Sequence, residues 1–85
     1  ALRRYRSAAD QGNSFAQYNL GVMYEKGQGI PRDYVLAHKW FNLAAAQGVE
    51  NAAELRDVIA KSMNTSQIQE AQKLAREFKP KKEKP

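Results

Sequence analysis

Two copies of one short phrase stand thirty-six residues apart in this chain, and that spacing constrains the fold more than any other feature. Ala8-Ala9-Asp10-Gln11-Gly12 returns as Ala44-Ala45-Ala46-Gln47-Gly48, and the same offset carries Ala1 onto Ala37, Tyr5 onto Phe41 and Ala16 onto Ala52. A period of about 20–50 residues marks a solenoid, whose units are each too small to bury their own apolar faces and stack on their neighbours instead. Such a scaffold offers binding surface and no ready reaction centre.

At 85 residues the chain can form one domain. A domain of that size buries somewhat over ~60% of the surface its unfolded form exposes. No cysteine is present, so neither a disulfide nor a thiolate metal site reinforces the core. Helix packing must carry stability. No apolar run approaches the ~18 residues of a membrane span, and nothing resembles a signal peptide. The chain is expected to be soluble; the sequence leaves its compartment open, a bacterial cytoplasm or, if an upstream signal peptide is missing, the periplasm. The net charge of +5 invites a nucleic-acid reading, but Lys79, Lys81, Lys82 and Lys84 against Glu83 supply +3 of it. That run, with Pro80 and Pro85, reads as a disordered basic tail over 80–85, so no nucleic-acid partner is expected.

Helical periodicity runs through every segment and sustained alternation through none, so the expected class is all-α with about five helices. Ala1 to Ala9 has the pattern of a second helix of a unit, which makes 1–12 half a repeat. Gly12 can close it in the left-handed conformation and Asn13 can cap the next helix, about Ser14 to Lys26. Gly27-Gln28-Gly29-Ile30-Pro31 interrupts the pattern, and Asp33 caps a helix from about Tyr34 to Gln47. Residues 13–48 thus make one full repeat, with Ala16, Leu20, Met23 and Tyr24 facing Ala37, Trp40, Phe41 and Ala44 as two halves of a core. Residues 49–79 read as terminal capping helices. Ala52, Leu55, Ile59 and Met63 mark one stripe; Asn64 and Gln67 have the spacing of a capping box. A last helix, about Thr65 to Lys79, is expected to cover that stripe with Ile68, Ala71, Ala75 and Phe78.

The phrases Ala16-Gln17-Tyr18-Asn19-Leu20-Gly21-Val22-Met23-Tyr24, Gly27-Gln28-Gly29-Ile30-Pro31-Arg32-Asp33-Tyr34 and Ala37-His38-Lys39-Trp40-Phe41-Asn42-Leu43-Ala44-Ala45-Ala46-Gln47-Gly48 together resemble the Sel-one-like repeat family, relatives of tetratricopeptide repeats. Arg4 stands where the later copy has Trp40, and Ser7 where it has Leu43, so the first helix is more polar than an internal one. The resemblance implies a right-handed α-α superhelix. It also implies an adaptor that assembles partners or regulates a complex, with a protein or peptide as partner.

Reactive groups are sparse. His38 is the sole histidine and falls on the polar side of its helix near Asn42, which suggests a surface position. The serines lack activating partners, the carboxylates are scattered, and no cluster suits a metal or cofactor. Gly27-Gln28-Gly29 lacks the preceding strand of a phosphate loop and reads as a helix-terminating turn. No catalytic residue is therefore expected. One pattern exceeds what an ordinary surface helix requires: Phe15, Tyr18 and Val22 form a second apolar stripe roughly opposite Ala16, Leu20 and Tyr24. In a stacked repeat the first helix of each unit lines the concave groove. These three would then floor a peptide site, with Asn19, Glu25 and Lys26 at its edges. The competing readings are packing on the preceding helix and a purely structural segment of a longer solenoid. A weaker one, from resemblance alone, is a binder or hydrolase of cell-wall or antibiotic-like small molecules.

Overall fold

The glycine-ended phrase that repeats in the sequence builds the same turn twice. In the computed structural model, which describes residues 2–81, Gly12 has φ +99° and Gly48 φ +95°. Around Gly12, the Asn13 amide donates to the Ala8 carbonyl at 3.0 Å and the Gly12 amide to Ala9 at 3.0 Å. Around Gly48, the Val49 amide donates to Ala44 at 3.2 Å and the Gly48 amide to Ala45 at 3.0 Å. This pair of bonds needs one residue in the left-handed region, where a Cβ is costly. Each helix is thereby closed by the same pair of bonds before the next begins.

Five helices follow in order: α1 (Leu2–Asp10), α2 (Ser14–Lys26), α3 (Tyr34–Ala46), α4 (Glu50–Ala60) and α5 (Thr65–Glu77). No strand occurs among the described residues. The expected caps form. Asn13 Oδ1 accepts from the Ala16 amide at 2.9 Å and Asp33 Oδ1 from the Leu36 amide at 3.1 Å. Asn64 and Gln67 complete a reciprocal capping box, with bonds of 2.8 and 2.9 Å. Consecutive helices α1 to α4 pack pairwise, while α5 folds back on α3. The result is an elongated body of 42 × 26 × 22 Å.

The core differs from the single α2–α3 seam that periodicity suggests. It divides into two clusters. One holds Ala37, Phe41, Ala44, Ala52, Ile59, Met63 and Ala71; the other holds Ala9, Ala16, Leu20 and Trp40. Phe41 and Trp40 are neighbours in sequence, so their side chains leave α3 about 100° apart and enter different layers. Tyr24 contacts both clusters. Ile68 and Ala71 of α5 do join the cluster containing Ile59 and Met63, but Phe78 turns to the other one. There its ring meets Trp40 edge-on, centroids 5.6 Å apart. The Lys39 ammonium sits 4.2 Å from the Trp40 ring centroid, and burial lowers its pKa from the ordinary lysine value, with Asp10 opposing. Beyond Phe78 the chain returns to α1. The Lys81 amide donates to the Asp10 carbonyl at 2.7 Å and Pro80 lies against Gly12, while residues 82–85 of the expected basic tail fall outside the described residues.

The closest approach of backbone to side chain lies between α2 and α3. A Cβ placed on Gly21 would stand 2.7 Å from the Phe41 ring, and Phe41 is fully buried with no room to retreat. Gly21→Ala gains roughly 1 kcal/mol of helix propensity, yet overpacking of this kind costs ~1–3 kcal/mol. With a rigid ring as the obstacle the clash dominates. The variant is expected to melt several degrees below the parent, by circular dichroism, and a midpoint at or above the parent's would show that α2 and α3 can separate freely.

Candidate functional site

Helix α2 faces three ways. Ala16, Leu20 and Met23 point to the cluster shared with α1, and Gly21 lies on Phe41. The third direction is the stripe Phe15, Tyr18 and Val22. Tyr18 and Val22 are half-buried and pack on the Phe41 cluster, with the Tyr18 and Phe41 rings 5.8 Å apart and tilted by 60°. The helix they lean on is therefore the following one, α3, and not the preceding α1. Phe15 is different. It remains 73% exposed, the most exposed large hydrophobic side chain among the described residues.

Phe15 and Tyr18 form one wall of a depression of about 540 Å³. The opposite wall is Gln47, Gly48, Val49, Glu50 and Asn51, from the α3–α4 turn and the first turn of α4. Asn19, Val22 and Glu25, half-buried, and Lys26, exposed, are not part of this wall and continue along α2 away from it. The structure thus brings together two of the six expected site residues, together with a turn that the stripe did not indicate. A signal for the far wall existed: the offset of 36 places Asn51 beneath Phe15 and Val58 beneath Val22, and Val58 is 55% exposed. The start of α4 corresponds by that offset to the start of α2, and the depression takes residues from both.

The turn is held by glutamines. Gln47 Nε2 donates to the Gly12 carbonyl at 2.9 Å and to Gln17 Oε1 at 2.9 Å; Gln17, fully buried, donates in turn to the Ala9 carbonyl at 3.2 Å. This chain of bonds ties the turn after α3 to the turn after α1. Sequence reading assigned Gln17 no role, because a glutamine inside a helix gives no periodic signal of burial.

Among the described residues no group of three or more His, Cys, Asp or Glu side chains is placed to hold a metal. A second depression of about 510 Å³ runs along α1, lined by Leu2, Ser7, Gln11 and the stems of Arg3, Arg6 and Lys81, with Asp10 at its edge. No helix of the described residues is long and apolar enough to cross a membrane. His38 requires a correction: it is 3% exposed, not a surface residue. The polar side of α3 is covered by α4, where Arg56 Nη1 donates to Asn42 Oδ1 at 2.8 Å and Arg56 pairs with Asp57 at 3.1 Å. His38 Nδ1 has no hydrogen-bond partner. Burial lowers its pKa from 6.5 and the Arg56 guanidinium lowers it further, while Asp57 acts the other way.

Comparison with known proteins identifies the scaffold. Residues 5–13 and 14–49 match the Sel1 repeat, so the chain belongs to the Sel1 repeat family, whose members are helical-repeat solenoids. It is 48% identical over 54 residues to DAP3-binding cell death enhancer 1 of Rattus norvegicus, covering 64% of this chain and 11% of that protein. It is 37% identical over 60 residues to the ERAD-associated E3 ubiquitin-protein ligase component HRD3B of Arabidopsis thaliana, 71% of this chain and 10% of that protein. With chitin synthase regulatory factor 3 of Schizosaccharomyces pombe it shares 42% identity over 52 residues, 61% of this chain and 6% of that protein. The chain thus spans about a tenth or less of these relatives. All three are eukaryotic and lend the expected bacterial source no support.

Two predictions follow from the buried polar groups. Gln47→Ala removes the donor to buried Gln17 Oε1, and an unsatisfied buried acceptor costs about 1–3 kcal/mol; urea denaturation should show that loss. For His38, the folded pKa lies below the unfolded value, so the folded state favours the neutral ring. Stability is then full above pH 6.5 and falls as pH drops from 6.5 towards the folded pKa. Melting midpoints of the parent should fall from pH 7 to 5.5, and His38→Leu should flatten that dependence; an equal slope in both proteins would assign it to the carboxylates.

Proposed function

We propose that this chain is a non-enzymatic protein-interaction module that holds a peptide or partner helix in the depression between α2 and the start of α4. The observation that carries the reading is Phe15. A ring of this size left in water beside Tyr18 and Val49 is an apolar anchor without an intramolecular use. Aromatic anchors in small pockets with polar edges are the usual energetic centre of peptide recognition. Gln47 and Asn51 supply polar edges, and Glu50 supplies negative charge. The relatives' names agree in kind, describing a binding protein, a ligase component and a regulatory factor. They share no enzymatic title among those three beyond membership in or regulation of an enzyme complex.

A specific observation favours a second reading for part of the stripe. Tyr18 and Val22 contribute to the Phe41 cluster, so to that extent they serve the solenoid itself, as a structural segment would require. The two readings separate on mutation. A peptide selected from a displayed library against the parent protein provides the probe, measured by isothermal titration. Phe15→Ser is expected to weaken that peptide about tenfold or more, ~1.4 kcal/mol, with the melting midpoint nearly unchanged. Tyr18→Ser should reduce both binding and stability. Selection that yields no peptide sensitive to Phe15 would leave the structural-segment reading in its place.

A further inference from the structure

Residues 78–81 leave α5 and cross from α3 to the end of α1 as a strap. Phe78 has φ −66° and ψ 132°, and Pro80 confines the residue before it to extended backbone as well. Three contacts hold the strap. The Phe78 ring stands edge-on to Trp40, Pro80 lies against Gly12 where an added Cβ would come within 3.4 Å of it, and the Lys81 amide donates to the Asp10 carbonyl at 2.7 Å. The Lys39 ammonium is 4.2 Å from the Trp40 ring centroid and 5.8 Å from that of Phe78, so a cation faces both rings and favours an aromatic over an aliphatic side chain beside Trp40. An aromatic ring in an apolar seat, a proline on a bare glycine and one main-chain hydrogen bond are the contacts of a bound extended peptide. Here ligand and seat belong to one chain.

We propose that the surface beneath the strap is a recognition site for an extended segment carrying an aromatic residue two places before a proline, and that Phe78–Lys81 is its built-in competitor. The strap is held from one side only: Phe78 is half-buried, and Lys79, Pro80 and Lys81 are exposed. Its advantage lies in the tether, since a short tethered segment acts at an effective concentration on the order of millimolar. A partner segment of the same pattern displaces it by exceeding that advantage in affinity or local concentration. Displacement leaves α5 in place, because Ile68 and Ala71 hold that helix to the Phe41 cluster. The site is separate from the Phe15 depression: Trp40 lies in the cluster of Ala9 and Leu20, whereas Phe15 faces the turn after α3.

Trp40 is the chain's only tryptophan, so its emission reports the state of the strap. The probe is an acetylated and amidated peptide with the sequence of residues 76–81, Arg-Glu-Phe-Lys-Pro-Lys, titrated into the full chain by tryptophan fluorescence. Phe78→Ala in the chain removes the competing ring and should shift Trp40 emission to longer wavelength. The peptide should reverse that shift and bind this variant about tenfold or more tightly than the parent, because the tethered competitor is gone. The peptide carrying Phe78→Ala should do neither. Pro80→Gly in the chain loosens the strap at an exposed position and keeps the Phe78 ring, so peptide binding should tighten about threefold or more over the parent. That variant decides the matter if Phe78→Ala lowers the melting midpoint below the working temperature. Equal peptide affinity for the parent and for the strap variants would overturn the proposal. So would a loss of peptide binding when Phe15→Ser is added to the Phe78→Ala chain, since the peptide would then occupy the depression beside α2.

Discussion

The contact on which the structure depends is the Phe41 ring lying on the bare backbone of Gly21. Interhelical distance is set by the bulkiest atom in the seam, and removal of one Cβ lets α2 approach α3 closely. That approach fixes where the rest of α2 points. Ala16 and Leu20 are delivered to Ala9 of α1, and Tyr18 and Val22 are laid against the Phe41 cluster. Phe15, one turn earlier, overshoots the seam and stands in solvent at the mouth of the depression. An exposed aromatic ring beside a depression thus arises as a by-product of close packing.

The two cores explain how so small a chain stays ordered without disulfides. Trp40 and Phe41 project in different directions from one helix, so α3 serves both layers and becomes the central element. Every other helix except α1 has its main packing partner in it. The two layers are joined by Tyr24 within the core and by the glutamine chain Gln47–Gln17–Ala9 at the turns. Hydrogen bonds of this kind contribute little net energy in water but are costly to break once buried, so they define register more than stability.

Burial of His38 and the path of α5 share one cause. An isolated helical wheel assigns a polar side by the residues' own character, and His38 with Asn42 looks like a solvated edge. In the folded chain α4 crosses that edge, and Arg56 satisfies Asn42 while His38 is enclosed. Likewise Phe78 shares an apolar spacing with Ile68 and Ala71, yet its ring meets the broad Trp40 ring edge-on in the other cluster. Both outcomes depend on which helix arrives from a distance.

The features legible in the amino-acid order are local or periodic. Helix boundaries follow from Asn13, Asp33 and Asn64 as caps and from Gly12 and Gly48 as stops, because each acts on amides and carbonyls within a few residues. The family follows from the repeated phrase, and the existence of a second apolar stripe on α2 from its spacing. The tertiary structure decided how that stripe is divided. Tyr18 and Val22 lie within reach of α3 and are partly withdrawn from water, whereas Phe15 is not, and the turn at Gln47–Val49 becomes its neighbour. Spacing along one helix reports which side chains share a face. It carries no record of how far a neighbouring helix extends over that face, since this is set by side-chain volumes in the seam and by the angle at which each turn releases the chain.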